Sequence, residues 1–226
     1  MSYVNELAFG IYPYLALATF LIGTIVRFDR DQYSWRSGSS QLLRARQLRW
    51  GSNLFHIGIL LLFAGHFVGL LTPQAVYHAF GLTAATKQLL SMVAGGIFGT
   101  VCFIGMTLLV HRRLFDARVR ATSSFMDIFI LLLIYVQLIL GMASIWVSRE
   151  HMDGGNMVLM AEWAQHIVTF RWGAADFLEP IHWIYKLHIF LGLTMFLVFP
   201  FTRLVHVWSA PIWYVFRRYQ IVRRRA

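Results

Sequence analysis

Five apolar runs, each long enough to cross a lipid bilayer, constrain this chain more than any other feature. They cover residues 8–26, 54–72, 88–110, 125–147 and 180–207. A helix needs about 20 mainly apolar residues to cross roughly 30 Å of hydrocarbon. Within lipid, a single segment satisfies its own backbone only as a helix. The runs therefore predict an all-α polytopic membrane bundle of five transmembrane helices. Composition agrees, because 58% hydrophobic and 13% charged residues leave too little polar surface for a soluble domain of this length. Residues 1–226 are expected to form one membrane domain ending in a short basic tail, 208–226. The opening stretch Met1–Leu7 has neither a basic region nor a small-residue cleavage site, so the first run is expected to stay as a span.

The formal net charge is +10. In a soluble chain that excess would raise the question of nucleic acid; here the basic residues sit in loops beside apolar runs, so no nucleic-acid role is expected. Arg27, Arg30, Arg36, Arg44, Arg46 and Arg49 lie between the first two runs, and Arg112, Arg113, Arg118 and Arg120 between the third and fourth. Arg217, Arg218, Arg223, Arg224 and Arg225 follow the fifth. The loop 73–86 has no Lys or Arg, and the loop 148–179 mixes both signs. The positive-inside rule then places the N-terminus outside and the C-terminus in the cytoplasm, with lipid headgroups meeting the basic loops. Within the long outer loop, 157–170 is apolar with interspersed polar residues and is expected to form a helix on the outer interface.

Cys102 is the only cysteine. One thiol excludes an internal disulfide, a thiolate-held iron–sulfur cluster and a doubly attached c-type haem. Any iron–sulfur relay must belong to another subunit.

Histidine within a span is expensive and usually functional. His56 and His66 fall in the second run, His188 and His206 in the fifth. Because consecutive spans alternate direction, His56 pairs by depth with His206 at the inner level, and His66 with His188 at the outer level. Paired imidazoles at two depths suit two bis-histidine haems. On a regular helix His188 and His206 would share a face, eighteen residues or about five turns apart. The rises disagree, however: roughly 15 Å from His56 to His66 against about 27 Å from His188 to His206. Pro200, between the latter two, can kink the fifth helix. His182 competes with His188 as a ligand. Spacing alone also leaves open that these histidines serve other ends. Glycines at 58, 65, 69 and 192 fit either a flat macrocycle or close helix packing.

The runs Gly51-Ser52-Asn53-Leu54-Phe55-His56-Ile57-Gly58, Gly65-His66-Phe67, Leu71-Thr72-Pro73, Arg118-Val119-Arg120-Ala121-Thr122 and Phe199-Pro200-Phe201-Thr202-Arg203-Leu204-Val205-His206-Val207-Trp208-Ser209 resemble the gamma subunit of the respiratory membrane-bound nitrate reductase. His151-Met152-Asp153-Gly154 resembles it more weakly. The resemblance spans nearly the whole chain. It implies a five-helix dihaem cytochrome b of a bacterial or archaeal cytoplasmic membrane. Such a subunit oxidises quinol near the outer haem and passes electrons through the inner haem to an iron–sulfur subunit. A molybdenum-containing catalytic subunit then reduces nitrate. The resemblance implies His66 and His188 as outer-haem ligands, His56 and His206 as inner-haem ligands, and Gly65, His66 and Lys87 at the quinol pocket.

Haem propionates want basic partners. Arg112 and Arg203 at the inner level and Lys186 at the outer level are candidates, although ordinary interfacial charges explain them equally well. Lys87 could likewise be a snorkelling lysine. Asp127 and Gln137 in the fourth run have no reading from sequence. The basic loops and tail are expected to dock the partner. The alternatives are a cytochrome b subunit of another quinone-linked dehydrogenase or reductase, a haem-free proton-coupled transporter and a purely structural anchor.

Overall fold

The computed structural model describes residues 3–35, 40, 42–209 and 216. Arg36 and nearly all of the expected basic tail lie outside the described residues, and with them the expected docking role of that tail. All regular structure among the described residues is helical. Five helices are long and apolar enough to cross a membrane. They are α1 (Tyr3–Arg30), α2 (Ala45–Leu71), α4 (Ala84–Phe115), α6 (Phe125–Ser148) and α8 (Trp183–Val198), the last running on through a 3-10 turn to Phe201. Shorter helices join them: α3 (Gln74–Ala79), α5 (Ala117–Ala121) and α7 (Gly155–Val168). One π-turn, Leu7–Ile11, interrupts α1.

Two helices outrun their apolar cores for local reasons. α2 begins nine residues before the expected run, through a polar stretch that carries Arg46, Gln47 and Arg49. α4 continues to Phe115, placing Arg112 and Arg113 in its last turn, where cations favour the negative end of the helix dipole. Caps set the other ends. Thr83 and Thr86 form a reciprocal capping box at the start of α4, and Ser124 and Asp127 do the same for α6. α5 starts on Asp116, whose carboxylate accepts from the Val119 and Arg118 amides and from Arg44 Nε at 2.8 Å. The Val119 amide first, then Arg44, holds that carboxyl below the usual carboxylate range.

The fifth span departs from expectation. The run 180–207 is not one helix: α8 covers only Trp183–Val198, 3-10 turns follow at Phe199–Phe201 and Arg203–Ser209, and Thr202 between them is extended. Pro200 lacks the amide hydrogen that would continue the helix, and its ring crowds the preceding turn. The Arg27 guanidinium on α1 takes over at the break, donating to the carbonyls of Pro200 (2.5 Å) and Thr202 (2.9 Å).

The spans pack in the order α1, α8, α6, α4, α2, an arc that brings α2 back opposite α8. The α2–α4 contact is the closest. A Cβ on Gly58 would sit 2.6 Å from Cys102 Cβ, and one on Gly105 would run into the Phe55 backbone nitrogen. Gly58 therefore serves helix packing. Gly58→Leu should force α2 and α4 apart and lower the thermal midpoint of the detergent-solubilised chain by an amount equivalent to about 1–3 kcal/mol or more. Gly69→Ala, which meets no heavy atom within 4 Å, should leave it unchanged. Equal midpoints for the two variants would refute this packing account.

The expected helix in the long loop is present as α7. It is wedged into the bundle rather than laid on its surface: Ala161, Trp163, Ala164 and Ile167 are buried, and Trp163 Nε1 donates to the Phe9 carbonyl at 2.9 Å. Gln165 reaches the Leu70 carbonyl at 3.1 Å, tying α7 to the end of α2.

Candidate functional site

The break after α8 changes the depth arithmetic. From His188 the α-helix runs only ten residues, to Val198, a rise of about 15 Å that equals the His56–His66 rise on α2. Beyond Val198 the chain runs in 3-10 turns around an extended Thr202, so the depth of His206 is set by the turn after Pro200 and not by a continued α8. His188 and His206 do not share one face of one helix, because the chain between them is not a regular helix.

The expected pairs form. The His66 and His188 rings lie 6.1 Å apart, centre to centre, with planes 34° apart. The His56 and His206 rings lie 6.4 Å apart with planes at 77°. A metal–imidazole bond runs about 2 Å and a ring nitrogen lies about 1.1 Å from its ring centre, so one iron between two imidazoles sets the centres about 6 Å apart.

All four rings are also fixed at Nδ1. His56 Nδ1 lies 2.7 Å from the Ser52 carbonyl, His66 Nδ1 2.8 Å from that of Leu62, His188 Nδ1 3.1 Å from that of Gln137, and His206 Nδ1 2.6 Å from that of Arg203. A carbonyl can only accept, so each Nδ1 carries the proton and each Nε2 keeps its lone pair, the tautomer of a metal ligand. The tie alone is not diagnostic. His166 makes it too, to the Glu162 carbonyl at 2.8 Å, yet its ring faces Phe177. Pairing across two helices is what sets the four apart.

Among the described residues, no group of three or more His, Cys, Asp or Glu could hold a bare ion. Two nitrogens per level suit a metal whose other positions are already filled, as iron is in a porphyrin. Small residues line the His66–His188 pair: a Cβ on Gly141 would meet His188 Cε1 at 3.1 Å, and one on Gly65, beside His66, would meet nothing within 4 Å. The ring spacing at both levels fits a macrocycle held by one imidazole on either face, and at this pair the glycines also leave room for it.

The remaining candidates fall as follows. His182 is the N-cap of α8, its Nδ1 accepting from the Ile184 amide at 3.3 Å, so it is committed elsewhere. Arg203 Nε pairs with Asp127 Oδ1 at 2.7 Å, which gives Asp127 a second role beyond capping α6. The Arg203 carbonyl is also the acceptor for His206, so Asp127 helps to hold the His206 ring through it. Arg112 is buried; one of its terminal nitrogens donates to the Ser40 carbonyl and hydroxyl and to the Leu43 carbonyl, while its Nε has no partner. Lys186 Nζ donates to the Glu179 carbonyl at 2.9 Å.

Lys87 lies in the first turn of α4, at the same end of the bundle as Gly65 and His66. It is only 9% exposed, and its ammonium stands 4.3 Å over the Tyr77 ring. That ring comes from α3 and is buried, and burial, then the nearby Glu162 carboxylate, pushes the Tyr77 phenol above its ordinary value. Sequence reasoning missed Tyr77, as it missed Arg27 and Gly141. Arg27 and Gly141 act through partners far away in the chain, Tyr77 through Lys87 ten residues on in the next helix, and none lies in a local pattern that announces it.

Comparison with known proteins bears out the family resemblance. A family model described as nitrate reductase gamma subunit matches residues 5–225. The chain is 50% identical to the respiratory nitrate reductase 1 gamma chain of Escherichia coli over 225 residues, covering 100% of both chains. It is 49% identical to the respiratory nitrate reductase 2 gamma chain of the same organism, covering 100% of this chain and 99% of that one. It is 37% identical to the nitrate reductase gamma chain of Bacillus subtilis, covering 98% and 99%. With the family model covering almost its full length, the chain belongs to the nitrate reductase gamma subunit family.

Proposed function

We propose that this chain is the membrane-embedded, haem-carrying cytochrome b subunit of a respiratory nitrate reductase, and that it takes electrons from quinol. The observation that carries the reading is the two histidine pairs, 6.1 and 6.4 Å between ring centres, each ring tied at Nδ1 to a backbone carbonyl. His66 and His188 hold the outer level, and His56 and His206 the inner one. Two b-type haems supply the one-electron carriers by which quinol electrons reach an iron–sulfur subunit and, through it, a molybdenum-containing subunit that reduces nitrate.

The protein's own part is positional. α2, α8 and the turn after Pro200 present the rings at two depths, and the Nδ1 ties fix which nitrogen faces the metal. Arg112 and Arg203 serve the inner propionates, Arg112 with the Nε that has no other partner. At the outer end, Gly65 leaves room beside His66, and the Lys87 ammonium is aligned by Tyr77 to donate to a quinol oxygen. The protons then leave on the side opposite the basic loops, so the N-terminus faces outward and the basic ends of α2 and α4 face the cytoplasm and the partner subunits. Residues 1–226 act as one membrane domain in a bacterial or archaeal cytoplasmic membrane.

The test is a dithionite-reduced minus oxidised spectrum of the purified chain, with pyridine haemochrome quantification against protein. A pair of b haems per chain is the expected result. A folded sample, expressed with ample haem supply and holding none, would overturn it.

A further inference from the structure

Gln137 lies in the middle of α6, flanked on both sides by apolar residues. A primary amide in that setting costs free energy unless its donors and acceptor are used. One donor is used on His188. Nε2 donates to the His188 backbone carbonyl at 2.8 Å and lies 3.4 Å from His188 Nε2. The Gln137 backbone carbonyl, in turn, accepts from His188 Nδ1 at 3.1 Å.

The amide's orientation is forced. Turned over, Oε1 would oppose the His188 carbonyl at the same short distance, acceptor against acceptor. In the orientation adopted, Oε1 is buried with no partner. An unmade bond on one side is thus tolerated to keep the donor on the His188 carbonyl, with the amide nitrogen 3.4 Å from the ring's Nε2. Glycines make the room: a Cβ on Gly192 would stand 3.2 Å from Gln137 Nε2, and one on Gly141 would stand 3.1 Å from His188 Cε1.

His188 differs from the other three rings. His56, His66 and His206 are tied to carbonyls three or four residues back in their own segment. His188 is tied across to another helix, fifty-one residues away. Its angle is therefore set by the α6 backbone, and the Gln137 side chain adds a bond to the His188 backbone carbonyl and stands 3.4 Å from the ring's Nε2.

We propose that Gln137 is the positioning residue of the His66–His188 level, fixing the His188 ring and holding the positive end of its amide beside the ligating nitrogen. The inference rests on the reading of this pair as axial ligands. A positive dipole beside the metal disfavours the oxidised, more positive state. Removing it should lower the midpoint potential of the outer haem alone.

The experiment uses the whole complex in native membranes. Redox titration is followed by optical and low-temperature EPR spectra, with each haem assigned by His188→Ala and His206→Ala. Gln137→Met keeps size and removes the amide. It should retain both haems, leave the inner midpoint in place and change the outer oxidised-to-reduced ratio at fixed potential by roughly tenfold, about 59 mV for one electron, toward the oxidised form. The outer EPR signal should shift with it. Gln137→Glu keeps the shape and puts an acceptor against the His188 carbonyl, and should lower the same midpoint further. Should Gln137→Met fail to assemble, Gln137→Glu decides alone. An unchanged outer midpoint and EPR signal, or equal movement of both haems, would overturn the role of Gln137 while leaving the ligand assignment intact. A wild-type complex with no haem at this level would overturn the assignment and the inference with it.

Discussion

Replacing His56 or His206 with alanine should leave a single b haem per chain in place of the pair, with quinol-to-nitrate electron transfer lowered by more than about 100-fold. On the proposed assignment that exceeds the 10- to 100-fold that loss of a mere supporting partner typically costs, because each iron would have only two protein ligands and the inner level would be the one through which electrons leave. The outer level should survive in both variants. Its rings are fixed by the Leu62 carbonyl on α2 and by Gln137 on α6, and neither tie passes through the inner pair. Nitrate reduction by the intact complex with an artificial donor that reaches the catalytic subunit directly should stay near wild type, which separates an electron-transfer defect from failed assembly. His182→Ala is the control. It removes only the cap on the Ile184 amide, so it should cost about 1 kcal/mol of stability and no haem. Haemochrome quantification reads all three variants. A full pair of haems in His56→Ala and His206→Ala would sink the assignment, and a loss in His182→Ala would show that the wrong histidine of the fifth span had been chosen.

Much of this architecture was legible in the sequence because lipid allows so few solutions. An apolar run of bilayer length must be helical, and alternating span direction pairs His56 with His206 and His66 with His188 before any coordinates exist. What defeated sequence reasoning was the fifth span. Counted as one helix, the distance from His188 to His206 contradicted the pair on α2. Pro200 was visible as a possible kink, yet its effect depended on whether anything would satisfy the backbone it released. That answer lies on α1, at Arg27, a residue that reads as an ordinary basic flank of a span. Gln137 was visible as an anomaly, a polar side chain in an apolar run, but its target was not, since the tie to His188 joins positions fifty-one apart. Asp127 is similar: its capping box with Ser124 is a local pattern, whereas its pairing with Arg203 is not. The propionate candidates were indistinguishable from topology charges because positive-inside statistics and haem recognition select the same residues at the same depth.

Arg27→Met should abolish inner haem binding while sparing the outer one, although Arg27 has no bond to any histidine. The argument runs through the backbone. A helix that stops in a buried setting leaves carbonyls that neither apolar neighbours nor the next turn can satisfy. Here the carbonyls of Pro200 and Thr202 share one guanidinium nitrogen of Arg27, and the same guanidinium anchors to Ser34 through Nε and its other terminal nitrogen. Pro200 and Thr202 are both buried, so water is not at hand to replace the lost donor. Each stranded carbonyl costs about 1–3 kcal/mol. Relaxing that cost requires the segment to move, and His206 lies only four residues beyond Thr202, in the turn that follows. Arg27→Lys should recover part of the binding, since a single ammonium can reach one carbonyl but cannot also hold Ser34 in the fork geometry of a guanidinium. The outer pair lies on the far side of the α8 helix and is supported by α6, so its haem should keep its spectrum and potential. The reading is haem per chain together with the two midpoints in isolated membranes. A full inner haem with an unchanged midpoint in Arg27→Met would mean that the turn carrying His206 is held without α1, and that the break at Pro200 owes nothing to Arg27.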